Sequence, residues 1–437
     1  MRSVLIDDIT VVTMDGAGNV YTDAAIAVEN GIIAYIGPRS LLPQKYEGLP
    51  RHMGRARVAL PGFVNAHTHA AMTLLRGYAD DLVLQEWLTE KIFPAEAKLE
   101  PEDAYFGAML ACAEMIRSGT TCFADMYFFM DDVARAVAES GMRASLSVGM
   151  GCLSSNPVET LEKVSKGAEF CRRWHGEAGG RITTMLGPHA PYTCSPKFIK
   201  DVAQAGRELG VGIHTHISET FREVEEITAQ YGVSPVKHLQ SLGLFDLDVL
   251  AAHCVAVSAD DIRVMHEHGV AVAHNPGSNM KLASGRAPVT DMLSEGICVG
   301  LGTDGAASNN NLDMIEEMRL TGLLHKVFTG DPTAVPAGQC LEMATMGGAR
   351  SLRLDDAIGS IEIGKRADLI LVDFNVPHLT PFDTERIASH MVYAASAHDV
   401  SSVLIDGLLV MDEGRLTTID EREIIHEVHR RARRLTE

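Results

Sequence analysis

The sequence predicts an α/β fold in which a (β/α)8 barrel is flanked by a small β-sandwich formed by the N- and C-terminal segments. Three observations lead to this prediction: eight short apolar runs alternate with helix-like segments in the middle of the chain, short strands open the chain, and a similar strand-rich texture returns near its end. We therefore expect a sandwich over residues 1–59 and 365–437 and a barrel over residues 60–364.

The opening residues read as a small antiparallel sheet. Asn30 and Gly31 separate two β-rich runs, and this pair favours a hairpin because both central residues of a type I′ turn need positive φ. The runs at 367–373 and 402–411 resemble these opening strands. We expect the two ends of the chain to pair into one sandwich beside the barrel.

The middle of the chain contains the eight candidate barrel strands, with helix-like segments such as 101–117 and 196–209 between them. No Gly-x-Gly-x-x-Gly follows the first run, which argues against a doubly wound open sheet. The runs cover 60–69, 120–125, 143–148, 182–189, 212–216, 249–253, 270–274 and 298–304. A last helix is expected over 422–434, with a basic face that we expect to be solvated.

The first of these runs ends with two histidines, His67 and His69. Side chains two apart on a strand point to the same face, so both imidazoles leave the strand together. Barrel enzymes place their catalytic groups at the C-terminal ends of the strands, and five of the eight runs end in histidine. This placement predicts a site at that end of the barrel.

A hydrolytic zinc site needs neutral nitrogen or carboxylate ligands and one open position for water. His67, His69, a histidine of the fifth strand and Asp304 after the eighth would supply them. His214 and His216 compete on the fifth strand, and we assign His216 because it lies nearer the strand end. His214 is then expected to pack behind the site.

Proton transfer is assigned to Glu219, since the spacing of His216-Ile-Ser-Glu219 could aim a carboxylate at the same water. No lysine lies on or just beyond the fourth strand to bridge a second ion, so one metal is expected. His253, at the end of the sixth strand, is free to act as an electrophile or to orient the water.

The composition of the chain argues against several classes of partner. The chain has 437 residues, 58 acidic against 38 basic, and a formal net charge of −20, a field that repels nucleic acids. Eight scattered cysteines form no Cys-x-x-Cys pair, which argues against disulfides and a zinc ribbon. The N-terminal residues lack a signal-peptide core and no run is long enough to span a bilayer, so we expect a cytoplasmic protein that binds no membrane.

Several motifs resemble the metal-dependent amidohydrolase superfamily in its single-metal aminohydrolase branch, and most closely its 5′-methylthioadenosine/S-adenosylhomocysteine deaminases. The motifs are His67-Thr-His69, His216-Ile-Ser-Glu219, Ala252-His253-Cys254, His274-Asn-Pro-Gly-Ser-Asn279 and Gly302-Thr-Asp304-Gly-Ala-Ala-Ser-Asn. The resemblance covers essentially the whole chain. It implies one zinc ion per subunit, although iron or manganese could occupy the same ligands.

The resemblance also implies a reaction, in which water activated by the metal adds to C6 of an adenine ring and ammonia leaves. Asp304 would take a proton from the water, Glu219 would protonate N1, and His253 would steady the attacking hydroxide or the tetrahedral centre. The expected partner is a small nucleoside, and a homo-oligomer is compatible with this reading.

Three further positions match the substrate pocket of this family. Trp87 falls where relatives place an aromatic wall, Glu96 where they place a carboxylate for the ribose hydroxyls, and His189 where a histidine contacts the nucleoside. Glu219 would contact the ring as well. Some relatives carry an arginine at the end of the third strand, whereas this chain reads Ser147-Val-Gly-Met-Gly-Cys. This difference favours 5′-methylthioadenosine, 5′-deoxyadenosine or adenosine over S-adenosylhomocysteine.

Other functions remain open from the sequence. The same scaffold could act on guanine, cytosine or a triazine ring, because Asp304 and Glu219 do not by themselves select the ring. A binuclear cyclic amidase is disfavoured by the missing bridging lysine. A barrel that only binds or scaffolds would show gaps among the ligands, and the sequence has none.

Overall fold

The computed structural model describes residues 2–83 and 86–437, and its strands form two sheets. Numbered in chain order, the strands are β1 (Val4–Val12), β2 (Val20–Glu29), β3 (Ile32–Pro38), β4 (Arg51–Met53), β5 (Arg57–Pro61), β6 (Phe63–Thr68), β7 (Thr120–Tyr127), β8 (Arg143–Met150), β9 (Ile182–Pro188), β10 (Ile213–Ile217), β11 (Val249–His253), β12 (Ala271–His274), β13 (Val299–Leu301), β14 (Leu369–Asp373), β15 (Val400–Ile405), β16 (Leu408–Asp412) and β17 (Arg415–Leu416).

Helices fill most of the connections between the barrel strands and close the chain. Among the described residues, the α-helices of six residues or more are Pro101–Arg117, Met130–Ser140, Pro157–Trp174, Pro196–Leu209, Phe221–Tyr231, Pro235–Ser241, Ala259–Glu267, Pro276–Lys281, Val289–Glu295, Met314–Thr329, Ala337–Glu342, Ile387–Tyr393 and Glu421–Thr436. A 3-10 helix, Ala70–Leu75, follows β6. A π-helical turn, Trp87–Ile92, leads into the short helix Phe93–Glu96. No helix among the described residues is long and apolar enough to cross a membrane.

The barrel is built as the sequence predicts. Strands β6 to β13 lie in chain order in one eight-stranded sheet, and each strand pairs in parallel with the next. All eight predicted runs fall on these strands, so the α/β barrel is confirmed. The interior of the ring is filled by small and apolar side chains, among them Val64, Ala66, Cys122 and Leu250.

The helix Pro196–Leu209 illustrates why these segments are helical. Ser195 accepts a hydrogen bond from the N–H of Phe198 and so caps the helix, while proline occupies the first turn. Its buried face is an apolar stripe of Phe198, Ile199 and Val202 at helical spacing. The helix ends at Gly210, whose positive φ of 68° suits a left-handed cap.

The barrel closes where β13 meets β6, and side chains supply much of this contact. Asn65 Nδ2 donates to Thr303 Oγ1 at 2.8 Å, and the Thr303 N–H donates to Asn65 Oδ1 at 3.0 Å. The Asp304 N–H donates to the carbonyl of His67 at 2.9 Å. Gly302 is needed here because a Cβ would lie 2.9 Å from the backbone nitrogen of His67.

The two ends of the chain form the second sheet, as predicted. Its order is β17-β16-β15-β14-β5-β1-β2-β3, and β14 pairs antiparallel with β5. These strands make one continuous sheet, which surrounds a core shared by both ends, including Ile6, Ile26 and Leu369. The Asn30–Gly31 turn joins β2 to β3 with positive φ at both residues.

The domain division at 59/60 and 364/365 stays a prediction. In the structure β5, which belongs to the terminal sheet, ends at Pro61, and β14 begins at Leu369.

A buried ion pair fastens the terminal sheet to the barrel. Arg143, on β8, donates through Nε to Asp368 Oδ2 at 2.7 Å and through Nη2 to Oδ1 at 3.0 Å, and both side chains are buried. The N–H of Asp406 also donates to Asp368 Oδ1 at 2.7 Å. The carboxylate therefore has donors from both parts of the molecule.

The basic face of the last helix is not simply solvated, which corrects the expectation from sequence. Arg431 is only 11% exposed and pairs with the fully buried Asp103 of the helix Pro101–Arg117 at 3.0 Å. Arg434 pairs with the same carboxylate. Two guanidinium groups thus compensate one buried charge, a long-range pairing that local sequence does not reveal.

Replacing Asp368 by alanine should destabilise the fold strongly, because it leaves the Arg143 guanidinium buried without its partner. We expect Asp368→Ala to lower the free energy of unfolding by about 3–5 kcal/mol, measured by denaturant titration. Glu162→Ala, which removes an exposed partner of Lys166, is the matched control and should change little. Equal losses in the two variants would contradict the role of the buried pair.

Candidate functional site

The predicted site residues meet at the C-terminal mouth of the barrel, around a cavity of about 240 Å³. His67 is fully buried and contacts the same cluster. The predicted residues that line the cavity are His69, Trp87, Glu96, His189, His216, Glu219, His253 and Asp304. The structure therefore brings together every residue that the sequence analysis assigned to metal, catalysis or substrate.

The four predicted metal ligands converge on one point. His67 Nε2 lies 3.4 Å and His69 Nε2 lies 3.3 Å from Asp304 Oδ1. His216 Nε2 lies 3.4 Å from His69 Nε2. Ligand atoms of His67, His216 and His253 also lie within 4.8 Å of one another, so His253 borders the same point.

Each of the three imidazoles is held through its Nδ1 atom. His69 Nδ1 donates to the carbonyl of Met126 at 2.5 Å, and His216 Nδ1 donates to the carbonyl of His189 at 2.7 Å. His67 Nδ1 lies 2.8 Å from His214 Nε2. Because a ring nitrogen that donates leaves the other with a free lone pair, these contacts turn the Nε2 atoms toward the common point. His214 lies behind His67, as expected.

Burial keeps the rings of His67, His214 and His216 neutral. It lowers the pKa of His67 to about 4 and holds the pKa values of His214 and His216 well below the ordinary value. Neutral imidazole is the form that binds a metal ion. His67 and His216 are therefore in the ligating form at neutral pH.

Asp304 is held so that one carboxylate oxygen faces the histidines. Its Oδ2 accepts hydrogen bonds from Ser278 at 2.6 Å and from Ser308 at 2.7 Å, which leaves Oδ1 toward the ring nitrogens. Burial opposes ionisation, but the contacts with His67 and His69 prevail and keep the pKa of Asp304 well below its usual range. Asp304 has a positive φ of 61°, which is a strained backbone conformation for a residue with a Cβ. Such strain is found most often at functional sites.

The observed donors fit a divalent metal ion. In the described part of the chain His67 Nε2 is fully buried and has no hydrogen-bond partner, which is costly unless a further group binds there. Ligands bound tetrahedrally at about 2.1 Å lie about 3.4 Å apart, as do the atoms above. A set of three nitrogens and one carboxylate oxygen suits zinc.

His253 and Glu219 border this point from two other strand ends. His253 Nδ1 donates to Asn279 Oδ1 at 2.9 Å, which directs Nε2 toward the cavity. Burial lowers the pKa of His253, but Glu219 and Asp304 outweigh it and raise the pKa above its ordinary value. Burial raises the pKa of Glu219, which favours its protonated form.

The loop that carries Glu219 is bound by a second buried carboxylate, Glu223. This side chain accepts hydrogen bonds from two consecutive backbone N–H groups, those of Ser218 and Glu219, at 3.0 and 2.9 Å. Ser218 has a positive φ of 52°.

The outer part of the cavity contains the three residues assigned to the substrate. Trp87 is buried among the apolar lining, which includes Leu88 and Phe93. Glu96 accepts a hydrogen bond from Tyr127 Oη at 2.7 Å, and burial raises its pKa. His189 sits beside the ring of His216, with 4.8 Å between ring centroids.

Several residues of the site were not predicted. Tyr127, at the end of β7, binds Glu96, while Ser278 and Ser308 bind Asp304. The two serines lie inside motifs that were noticed for other residues, which is a weak signal. Tyr127 ends the second barrel strand, and that position alone could have marked it.

The sequence of this chain is similar to those of known proteins. A model of the amidohydrolase family matches residues 58–410. The 5-methylthioadenosine/S-adenosylhomocysteine deaminase of Pelotomaculum thermopropionicum is 52% identical over 435 residues, covering 100% of this chain and 99% of that protein. The 5′-deoxyadenosine deaminase of Methanosarcina mazei is 49% identical over 436 residues, covering 100% of this chain and 99% of that one.

A solved structure is similar over the same length. The crystal structure of an adenosine deaminase from Xanthomonas campestris with bound zinc superposes with a TM-score of 0.91 at 36% identity. The match covers 99% of this chain and 98% of the other.

Removing one of the two serine hydroxyls that donate to the Asp304 carboxylate should weaken metal binding. We expect Ser308→Ala to lower the affinity for zinc by about tenfold, because outer hydrogen bonds orient the ligating carboxylate. Competition with a chromophoric chelator measures this. Ser294→Ala, at an exposed serine that binds only the carbonyl of Asp291, should bind zinc normally. Normal zinc affinity in Ser308→Ala would show that the hydroxyl does not position Asp304.

Proposed function

The chain belongs to the amidohydrolase family, and on this basis we propose that it deaminates 5′-modified adenosines by hydrolysis, yielding the inosine analogue and ammonia. The observation that carries this proposal is one cavity in which Glu219, His253 and Asp304 surround the point where three Nε2 atoms converge. Two relatives support the substrate class: one is named as a 5-methylthioadenosine/S-adenosylhomocysteine deaminase and the other as a 5′-deoxyadenosine deaminase. They are 52% and 49% identical to this chain over essentially its full length.

We propose zinc as the metal, held by His67, His69, His216 and Asp304. The support is the donor set, the separations of the donor atoms and the zinc in the similar solved structure. When bound, the ion supplies hydroxide at neutral pH by lowering the pKa of water to about 7.

Proton transfer falls to the two carboxylates. Asp304 is ionised and directs Oδ1 toward the converging Nε2 atoms, so it accepts the proton that water loses on addition to C6. Glu219 has a raised pKa, so it carries the proton that N1 gains as the ring becomes tetrahedral. The proton taken up by Asp304 then reaches the amino group, which leaves as ammonia, while the hydroxyl proton at C6 passes to Glu219 as the carbonyl forms.

His253 stabilises the developing charge. Its Nδ1–H is bound to Asn279, and the ionised Asp304 nearby favours a second proton on Nε2. This Nε2–H group donates a hydrogen bond to the oxygen that becomes attached at C6, where negative charge develops.

The nucleoside itself is bound by the outer cavity. Glu96 accepts from the ribose hydroxyls while Tyr127 fixes one of its oxygens. Trp87 forms an apolar wall, and His189 contacts the nucleoside beside His216. The wall matches the flat, apolar face of a purine.

The 5′ substituent is proposed to be uncharged. Among the described residues that line the cavity there is no lysine or arginine, whereas three carboxylates line it: Glu96, Glu219 and Asp304. The homocysteine tail carries an ammonium group as well as a carboxylate, and it is the carboxylate that would find no counter-charge among these lining residues. We therefore rank S-adenosylhomocysteine below 5′-methylthioadenosine and 5′-deoxyadenosine.

A substrate panel tests both the reaction and the ranking. With zinc-loaded protein, we expect loss of the adenosine ultraviolet band and release of ammonia from 5′-methylthioadenosine and 5′-deoxyadenosine. Their kcat/KM should exceed that of S-adenosylhomocysteine by about tenfold, which corresponds to an unfavourable charge interaction of about 1.4 kcal/mol. No turnover on the panel with metal bound would reject the adenosine ring and direct the search to guanine and triazines.

Variants of the two carboxylates should separate their roles. Glu219→Gln should lose at least about 100-fold in kcat and still bind about one equivalent of zinc, because Glu219 transfers a proton and is not a ligand. Asp304→Asn should lose turnover and also bind zinc more weakly. Glu225→Gln, at an exposed position on the following helix, is the control and should be fully active. Full activity in Glu219→Gln would exclude its role in proton transfer.

A further inference from the structure

Glu223 lies on the helix Phe221–Tyr231, four residues beyond Glu219, but its side chain turns back toward the preceding loop. Both oxygens are used there: Oε1 accepts from the Ser218 N–H at 3.0 Å and Oε2 from the Glu219 N–H at 2.9 Å. The residue is only 4% exposed. A buried carboxylate thus binds the backbone on which Glu219 is carried.

The bound backbone is a strained turn. Ser218 follows directly after β10 and has a positive φ of 52°, a conformation that residues with a Cβ rarely adopt unless neighbouring contacts impose it. The opposite side of the turn is bound as well, since the Ala256 N–H donates to the Ser218 carbonyl at 2.8 Å. Glu223 supplies the contact from the helix side.

Helix capping does not account for this carboxylate. The hydroxyl of Thr220 already accepts from the Glu223 N–H and caps the helix. The carboxylate of Glu223 instead binds N–H groups that precede the helix. These contacts fix the direction in which the Glu219 side chain projects from the backbone.

We propose that Glu223 is a positioning residue for catalysis, whose bidentate contact with the Ser218 and Glu219 N–H groups aims the Glu219 carboxylate at the substrate. This inference rests on the proposed function, in which Glu219 transfers a proton. An error of about 1 Å in the position of a catalytic group can reduce the rate about 100-fold, so a contact of this kind affects turnover without touching the substrate.

The test is a double-mutant cycle on the zinc-loaded protein with 5′-methylthioadenosine. Glu223→Gln keeps the size of the side chain but replaces one accepting oxygen by an amide that cannot accept, so we expect kcat to fall about 10- to 100-fold. KM and the zinc content should stay near those of the parent. In the Glu219→Gln background the same change should cause almost no further loss, because the group being positioned is already absent.

The matched control is Glu226→Gln, which lies on the same helix and removes only an exposed partner of Arg222. It should leave kcat unchanged in both backgrounds. Glu223→Asp, which keeps the charge and shortens the side chain by one methylene, should retain more activity than Glu223→Gln. It also replaces Glu223→Gln in the cycle should that variant fail to fold.

An equal loss of kcat from the Glu223 substitution in both backgrounds would overturn the proposal, since it would show a role independent of Glu219. Loss of zinc in Glu223→Gln would overturn it as well, because the effect would then lie in the metal site. Full activity of Glu219→Gln alone is a different result, which rejects the proposed proton transfer itself.

Discussion

The closure of the barrel between β13 and β6 is the contact on which the site depends. The ligands His67 and Asp304 come from the first and last barrel strands, and they are neighbours only because the ring closes. Backbone and side-chain hydrogen bonds act together there: the Asp304 N–H binds the carbonyl of His67, and Asn65 exchanges two hydrogen bonds with Thr303. Gly302 permits the close approach. A change at this junction would therefore alter stability and ligand geometry together.

The second constraint is electrostatic. Taking several ionisable groups out of water is costly, and the structure limits this cost by keeping the His67 and His216 rings neutral beside the ionised Asp304. Each imidazole Nδ1 has a partner, and Asp304 Oδ2 has two hydroxyl donors. His67 Nε2, which is buried without a hydrogen-bond partner among the described residues, faces the inner point where the other ligand atoms converge.

Sequence predicted the barrel and the inner residues well because both follow from regular patterns. Alternation on a strand places His67 and His69 on one face, and parallel strands end on one side of the barrel, so most of the strand-end histidines converge there. His274 is the exception, because it ends β12 but contacts His325 and does not line the cavity. Tyr127, Ser308 and Glu223 could not be assigned in this way. Ser308 and Glu223 act through short-range contacts, with Asp304 and with the Ser218 and Glu219 N–H groups, and an isolated serine or glutamate has no periodic pattern that reveals such a role. Tyr127 meets Glu96 only because the tertiary fold brings the two together. The same reason explains why the pairing of Arg431 with Asp103 was missed.

The antiparallel pairing of β5 with β14 has a consequence for synthesis of the protein on the ribosome. Strand β5 is made early and β14 only after the whole barrel, so one edge of β5 lacks its partner throughout most of translation. An unpaired strand edge readily binds other extended chains. Arg57 at the start of β5 places a charge on this edge, which disfavours such pairing in the nascent chain. Completion of the terminal sheet is thereby a late event that joins both ends of the polypeptide around a barrel already synthesised.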